Sequence, residues 1–256
     1  MFRVIFVMDL FNRSVVHAKG GNRKTYLPIS ESSKICSNSD PVEIVRSLKP
    51  SEVYIADLNV LEAAGKEAEG KKMDEKERSS ISDLNADLIR KVSDMSSTLL
   101  DFGVSGVKDL KKALSLAKSV VIGTETGTLA GIRKAAFMYP EKLCVSLDLK
   151  HGKLLKRDPN ISEDLFEVIA LLNELPLKAL IFLDLDRVGT STGFDPVFLK
   201  KLAQASKPAL FLGGGVRSQE DLFTLEKIGL QGALVATAIH NGAIPLSLLR
   251  KGQKKV

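Results

Sequence analysis

Two aspartates at the ends of apolar runs are the residues best suited to chemistry in this chain. Asp9 follows Val4-Ile5-Phe6-Val7-Met8, and Asp148 follows Leu143-Cys144-Val145-Ser146-Leu147. Burial raises the pKa of a carboxyl group and a nearby cation lowers it. Two carboxyls in different surroundings can therefore act as general acid and general base near neutral pH. The second chemical feature is the run Gly213-Gly214-Gly215-Val216-Arg217-Ser218. Its glycines let the backbone approach an anion, and the helix that follows offers unbonded N–H groups. With Ala236 and Thr237 further on, this run reads as a phosphate site.

The other candidates are arranged around these. Gly123 and Thr124 occupy the corresponding place in the first half and suggest a second phosphate site. There, however, Asp101-Phe102-Gly103 stands in place of the glycine triplet and Ser105 in place of the arginine. A carboxylate at Asp101 facing the loop repels phosphate; the alternative is a pocket for a neutral or aromatic group built on Phe102. Asp57 and Asp184 end two further apolar runs and are candidates for substrate contact or for capping. His17 and Lys156 can reach substrate from the first and fifth loops, His151 beside Gly152 fits an exposed turn, and His240 fits the start of the last helix. Cys36 and Cys144 show no metal-ligand spacing with the histidines and read as reduced thiols. Neither a metal cluster nor a nucleophile with its base at diagnostic spacing emerges.

Parallel strands joined by crossover helices position these residues, because short aliphatic runs alternate with amphipathic stretches of helical length. The predicted strands are 3–8, 52–56, 98–100, 119–122, 143–147, 179–183, 209–212 and 233–235. Helices are expected to begin near Pro41, Ser82, Val107, Thr126, Ser162, Pro196, Ser218 and His240. Asp40-Pro41 and Asp195-Pro196 place a capping carboxylate before a first-turn proline. Residues 62–80, with Gly65, Gly70 and a mixed-charge run, read as a solvated loop with a helical turn, and 22–39 as a long excursion after the first strand.

Four segments recur in order. The Asp9 run matches the Asp148 run, and Val53-Tyr54-Ile55-Ala56-Asp57 matches Ile181-Phe182-Leu183-Asp184. Gly103-Val104 with Asp109 matches Gly215-Val216 with Asp221, and Val121-Ile122-Gly123-Thr124 matches Val235-Ala236-Thr237. This is the pattern of an α/β fold, a (β/α)8 TIM barrel made of two fused (β/α)4 half-barrels, about 1–140 and 141–256, in one domain. Such a fold brings Asp9 and Asp148 to a common mouth from strands one and five.

The length of 256 residues suits one such barrel, and 44% apolar with 27% charged residues suits a globular protein with a sizeable core. No run of about 18 apolar residues could span a membrane. The first ten residues read as a buried strand rather than a signal peptide, so the expected compartment is cytoplasmic. The net charge of +6 favours anionic partners. Part of it is a tail of Lys251, Lys254 and Lys255, and aromatics do not alternate with basic residues, so a phosphorylated small molecule fits better than nucleic acid.

These residues resemble the histidine-biosynthesis barrels, the HisA/HisF family, over nearly the whole chain. The resemblance rests on Asp9-Leu10 with Lys19-Gly20, Asp40-Pro41-Val42-Glu43, Asp148 with Gly152-Lys153, Asp186-Arg187-Val188-Gly189-Thr190 with Gly193, the 213–218 run, and Ala236-Thr237-Ala238. It implies an Amadori-type isomerisation, aminoaldose to aminoketose, on a substrate with a phosphate at each end. Asp9 would be the base at the sugar C2 and Asp148 the acid in ring opening. His17, Lys19, Asp57 and Asp184 would contact substrate. Gly189, Gly213, Gly214, Gly215, Ala236 and Thr237 would bind one phosphate, and Gly123 with Thr124 the other.

No cofactor or metal is implied, and a homo-oligomer is compatible. Leu183 stands where the family carries threonine, and His17 where it carries arginine or lysine. Lys19-Gly20-Gly21-Asn22-Arg23, with Tyr26 and Pro28, resembles a related branch found with one-carbon cofactor metabolism. That branch implies another phosphorylated substrate and lyase or cyclase chemistry, while a non-catalytic phosphate-binding barrel is the third reading.

Overall fold

In the computed structural model, residues 2–19, 25–68, 70, 71 and 73–250 are described; Gly20, Gly21, Asn22 and Arg23 of the first-loop motif and the tail lysines 251, 254 and 255 lie outside them. The chain opens with β1 (Arg3–Phe11), which turns back antiparallel into β2 (Ser14–Val16). There follow α1 (Pro41–Leu48), β3 (Glu52–Asp57), α2 (Leu58–Ala68), α3 (Glu75–Asp83), α4 (Ala86–Met95), β4 (Ser97–Asp101), α5 (Val107–Leu116), β5 (Ser119–Gly123) and α6 (Leu129–Met138). The second half repeats the plan with β6 (Leu143–Lys150), its hairpin partner β7 (Lys153–Leu154), α7 (Leu165–Leu172), β8 (Ala179–Asp184), α8 (Pro196–Ala205), β9 (Ala209–Gly213), α9 (Gln219–Lys227), β10 (Gly232–Val235) and α10 (Thr237–His240).

Among the described residues, eight parallel strands run β1-β3-β4-β5-β6-β8-β9-β10, and β10 pairs with β1 from Arg3↔Gly232 to Phe6↔Val235. The sheet is therefore a closed (β/α)8 barrel. Each predicted strand is present, and β1 and β6 run three residues further, into their hairpins. Both hairpins turn on two residues with positive φ, Asn12 and Arg13 in one, His151 and Gly152 in the other. That geometry matches the right-handed twist of the flanking strands.

The two halves share their register. Asp9 pairs with Ala56 and Leu10 with Asp57; Asp148 pairs with Leu183 and Leu149 with Asp184. In each half an aspartate also accepts the N–H four residues before it: Ser105 donates to Asp109 at 3.2 Å, and Arg217 to Asp221 at 2.8 Å.

Side chains alternate across the strands, so one set fills the barrel and the other meets the helices. Ile5, Tyr54, Leu99, Val121, Cys144, Ile181 and Phe211 form the inner cluster. Phe6, Met8, Leu10, Val53, Ile55, Leu100 and Leu147 belong to the larger outer layer packed under the helices. Asp40 accepts from Val42 and Glu43 N–H groups at 2.8 and 2.9 Å, and Asp195 from Val197 and Phe198 at 2.9 and 3.1 Å, as the Asp-Pro pairs predict.

Several expectations need correction. Residues 62–80, expected as a solvated loop with a helical turn, are largely solvent-exposed but contain more helix than that, the rest of α2 and most of α3. Leu58 and Leu61, three residues apart, give α2 a buried apolar side toward the cavity. The helix expected near Ser82 is two elements, with the crossover helix beginning at Ala86. Those expected near Thr126 and Ser162 begin at Leu129 and Leu165, capped by Thr128 and Asp164. His240 ends α10 rather than starting a helix.

Asp57 is also placed differently. One residue past inward-facing Ala56, it points outward and is fully buried. Its Oδ1 accepts from the N–H groups of Asn59 (3.1 Å) and Val60 (3.3 Å) and from Asn85 Nδ2 (3.0 Å), so it caps α2. Its Oδ2 has no hydrogen-bond partner among the described residues. Burial, outweighing these hydrogen bonds, pushes its pKa up to about 6. The folded chain thus holds a proton that the unfolded chain releases near pH 4. This contribution is full at low pH and is lost as pH rises through about 6, worth about 3 kcal/mol across the window. Urea unfolding should therefore show wild type losing about that much stability relative to Asp57→Asn between pH 4 and 7.5; parallel pH profiles would contradict the assignment.

Candidate functional site

At the carboxyl ends of the strands the barrel opens into a cavity of about 850 Å³. Both Asp9, from β1, and Asp148, from β6, line it. Asp148 is 6% exposed. Its Oδ1 accepts a short hydrogen bond from the Ser146 hydroxyl two residues earlier on the same strand face. Burial first, then the charge of Glu125, pushes its pKa well above the usual carboxylate range; the Ser146 bond opposes this and Asp101 adds to it. Asp148 accordingly keeps its proton to higher pH than an ordinary carboxyl.

Gly123 explains how this carboxyl fits. A Cβ on Gly123 would lie 2.6 Å from Asp148 Oδ2, so the glycine seats the acid and does not line the cavity. Thr124 is buried, its N–H donates to Ser146 O at 2.9 Å, and its hydroxyl lies 3.5 Å from Asp148 N. These two residues, expected to bind a second phosphate, pack against Asp148 and are not part of the cavity lining.

The wall above β4 and β5 is acidic. Tyr54 donates its hydroxyl hydrogen to Asp101 Oδ2 at 2.8 Å inside the barrel. Burial, and then the charges of Asp101, Asp148 and Asp9, hold that phenol well above its ordinary pKa, so it is a neutral donor amid three carboxyls. Glu125, just past β5, also lines the cavity. Phe102 is buried in the outer layer, so the aromatic pocket expected there is not formed.

The opposite wall comes from β8, β9 and β10. Gly189, Gly213, Gly214, Gly215, Ala236 and Thr237 all line the cavity. Close backbone packing requires glycine at two of these positions. Gly215 has φ +84° and a Cβ there would lie 2.3 Å from Gly193 O; Gly189 has φ +73° and a Cβ 2.3 Å from Ala18 O. The Gly215 N–H already donates to Arg187 O at 3.2 Å. The charge of this wall is Arg187, whose Nη1 donates to Gly193 O (2.6 Å) and whose Nε meets Asp184 Oδ2 (2.9 Å). Arg217 is instead tied to Asp221 by two hydrogen bonds at 2.8 and 2.9 Å.

His17 and His240 line the cavity between these walls. His17 Nδ1 is 3.2 Å from Ser32 Oγ, and its buried Nε2 has no hydrogen-bond partner among the described residues. His240 Nδ1 is 2.9 Å from Ser33 Oγ. Burial lowers both pKa values, with help from Lys19 for His17 and from His17 for His240, which falls to about 4. Both rings are neutral near pH 7.

Asp57, Asp184 and Lys19 lie off the cavity wall. The first two are one residue out of phase with the inward face; Lys19 is exposed on the loop beyond His17. Lys156 donates to Ile161 O at 2.7 Å and likewise misses the cavity. Tyr54, Glu125, Ser146 and Arg187 were not singled out as site residues. Strand parity could have found Tyr54 and Ser146, since each shares the inward face of a strand with a residue at the mouth. Among the described residues, no group of three histidine, cysteine or acidic side chains is placed to hold a metal, and no helix is long and apolar enough to cross a membrane.

Known proteins match this chain along most of its length. A protein of Methanocaldococcus jannaschii, described as uncharacterized, is 31% identical over 95% of the chain and 96% of its own length. The 1-(5-phosphoribosyl)-5-((5-phosphoribosylamino)methylideneamino) imidazole-4-carboxamide isomerase of Thermus thermophilus is 31% identical over 56% of this chain and 63% of the isomerase. The enzyme of the same name from Nitratidesulfovibrio vulgaris is 31% identical over 64% of this chain and 70% of its own. The sequence pattern of the family described as histidine biosynthesis protein matches residues 3–245, and with the closed barrel and its cavity this establishes that the chain belongs to that family.

Proposed function

We propose that this protein is a phosphosugar-processing enzyme in which Asp148 and Asp9 move the protons, most simply in an Amadori-type aldose–ketose isomerisation. One observation carries the reading: a single cavity is lined by both aspartates and by the glycine and arginine wall. Burial raises the pKa of Asp148, which suits a general acid. Its proton goes to the ring oxygen of the aminoaldose as the C1–O bond breaks and the nitrogen lone pair forms C=N. Asp9 takes the C2 proton; the electrons of that C–H bond form C1=C2, and those of C=N return to nitrogen. Loss of the enol proton and protonation at C1 give the aminoketose, an isomer of the substrate.

The phosphate is held against Arg187, oriented by Asp184, with Gly189, Gly213, Gly214, Gly215, Ala236 and Thr237 around it. A cation and close backbone together favour an anion there. The neutral rings of His17 and His240 can exchange hydrogen bonds with the substrate at this end. A second reading, another phosphorylated substrate handled by the same carboxylates in lyase or cyclase chemistry, is favoured by Asp101 and Glu125 standing where a second phosphate would sit.

Purified protein assayed with the aminoaldose of the histidine pathway separates the two, since turnover supports the isomerase and its absence in folded protein removes that substrate. With an active substrate, Asp9→Asn and Asp148→Asn should each lower kcat by about 10²–10⁴-fold. Wild-type kcat should fall as pH rises through the raised pKa of Asp148, and Asp148→Asn should lose that limb. Full activity in both variants would refute the acid–base roles. Calorimetric titration of inorganic phosphate should show roughly tenfold weaker binding in Arg187→Ala, the scale of one charge-assisted hydrogen bond; unchanged affinity would move the phosphate elsewhere.

A further inference from the structure

The walls of the cavity differ in charge according to the strands that carry them. Asp101 follows from β4, Glu125 from β5 and Asp148 from β6, whereas Arg187 belongs to the loop after β8. A substrate with a phosphate at each end would place its second phosphate against Asp101 and Glu125. Like charges in a partly desolvated cavity repel strongly.

Glu125 is half-buried and makes no hydrogen bond or ion pair with any described residue. Asp148, nine-tenths buried, has Oδ1 occupied by Ser146, while Oδ2 accepts no hydrogen bond from any described residue. Glu125 thus faces the cavity as a carboxylate beside other acidic groups with no ion pair among the described residues, and such a setting favours a positively charged ligand. Lys150, at the end of β6, is the cation of this wall, and it forms no ion pair among the described residues. A ligand that carries its own donor and positive charge supplies what these oxygens lack.

We infer that the substrate is asymmetric, with one phosphate at the Arg187 wall and a protonated amine at the wall formed by Glu125 and Asp101, beside the acid Asp148. The inference rests on the phosphate assignment made above and takes the second reading given there, another phosphorylated substrate: an amine-bearing monophosphate rather than a bisphosphate, so that turnover of the histidine-pathway aminoaldose, which carries two phosphates, would overturn it. Glu125 is the specificity residue. It neutralises the ammonium group, and Asp148 Oδ2 lies on the same wall to address the adjoining carbon skeleton.

The test uses full-length protein and calorimetry at pH 7, with probes differing only at one end: alkyl, hydroxyalkyl and aminoalkyl monophosphates and alkanediyl bisphosphates, each from propyl to hexyl. A simple alkyl amine is protonated at that pH. At the best chain length the aminoalkyl phosphate should bind about tenfold tighter than its alkyl and hydroxyalkyl counterparts, and the bisphosphate no tighter than the alkyl one. In Glu125→Gln the amine preference should fall to within about twofold, with alkyl phosphate affinity reporting that the fold is intact.

The proposal is overturned if the bisphosphate binds as tightly as the aminoalkyl phosphate, if the hydroxyl probe matches the amine, or if Glu125→Gln keeps the full preference. Any of these with inorganic phosphate binding intact and sensitive to Arg187→Ala leaves the phosphate assignment standing. Failure of every probe, inorganic phosphate included, removes both.

Discussion

A side chain near the end of a barrel strand points either into the barrel or toward the helices, and the pleat of a closed sheet decides which. The arrangement of this cavity depends on that parity. Asp9, Asp101 and Asp148 fall on the inward phase of β1, β4 and β6 and line the mouth. Asp57 and Asp184 fall one residue out of phase, at the ends of β3 and β8, in equivalent register. The same side chain then does mechanical work: Asp57 caps α2, and Asp184 orients Arg187. A single-residue step separates a group that can exchange protons with a ligand from one that fixes the frame around it.

Burial gives these groups their chemical character. Asp148 is withdrawn from water beside other carboxyls, and the space for it exists because position 123 is glycine. Across the cavity, glycines at 189 and 215 let main chain pack against main chain, which brings Arg187 and the β9 and β10 loops into one wall. The shared register of the halves thus carries unlike chemistry. Asp101 and Glu125 face the cavity on one side, and glycine backbone with an arginine faces it on the other.

Much of the fold was legible in the sequence because its signals are local. The eight apolar runs mark the strands to within a few residues, and Asp40-Pro41 and Asp195-Pro196 mark helix starts through bonds spanning two or three residues. Misreadings arose where composition hid periodicity. In 62–80 a charged surface conceals the rest of α2 and most of α3, and of the two roles open to Asp57, substrate contact and capping, only the fold decides for the cap of α2. His240 was read from its neighbours in sequence, whereas its surroundings are Phe6 and Ser33, far along the chain.

The sequence by itself determined the barrel, the family, and the two aspartates and glycine loop at the mouth, because strand period, capping residues and glycine runs act over a few residues. Only the tertiary structure decided that Gly123 serves Asp148, that Arg187 rather than Arg217 charges the cavity, and that Tyr54 and Glu125 belong to the site. Those outcomes depend on β1 closing against β10 and on loops from distant strands meeting over the barrel. Such contacts set burial and charge proximity, and neither is encoded in any short stretch of chain.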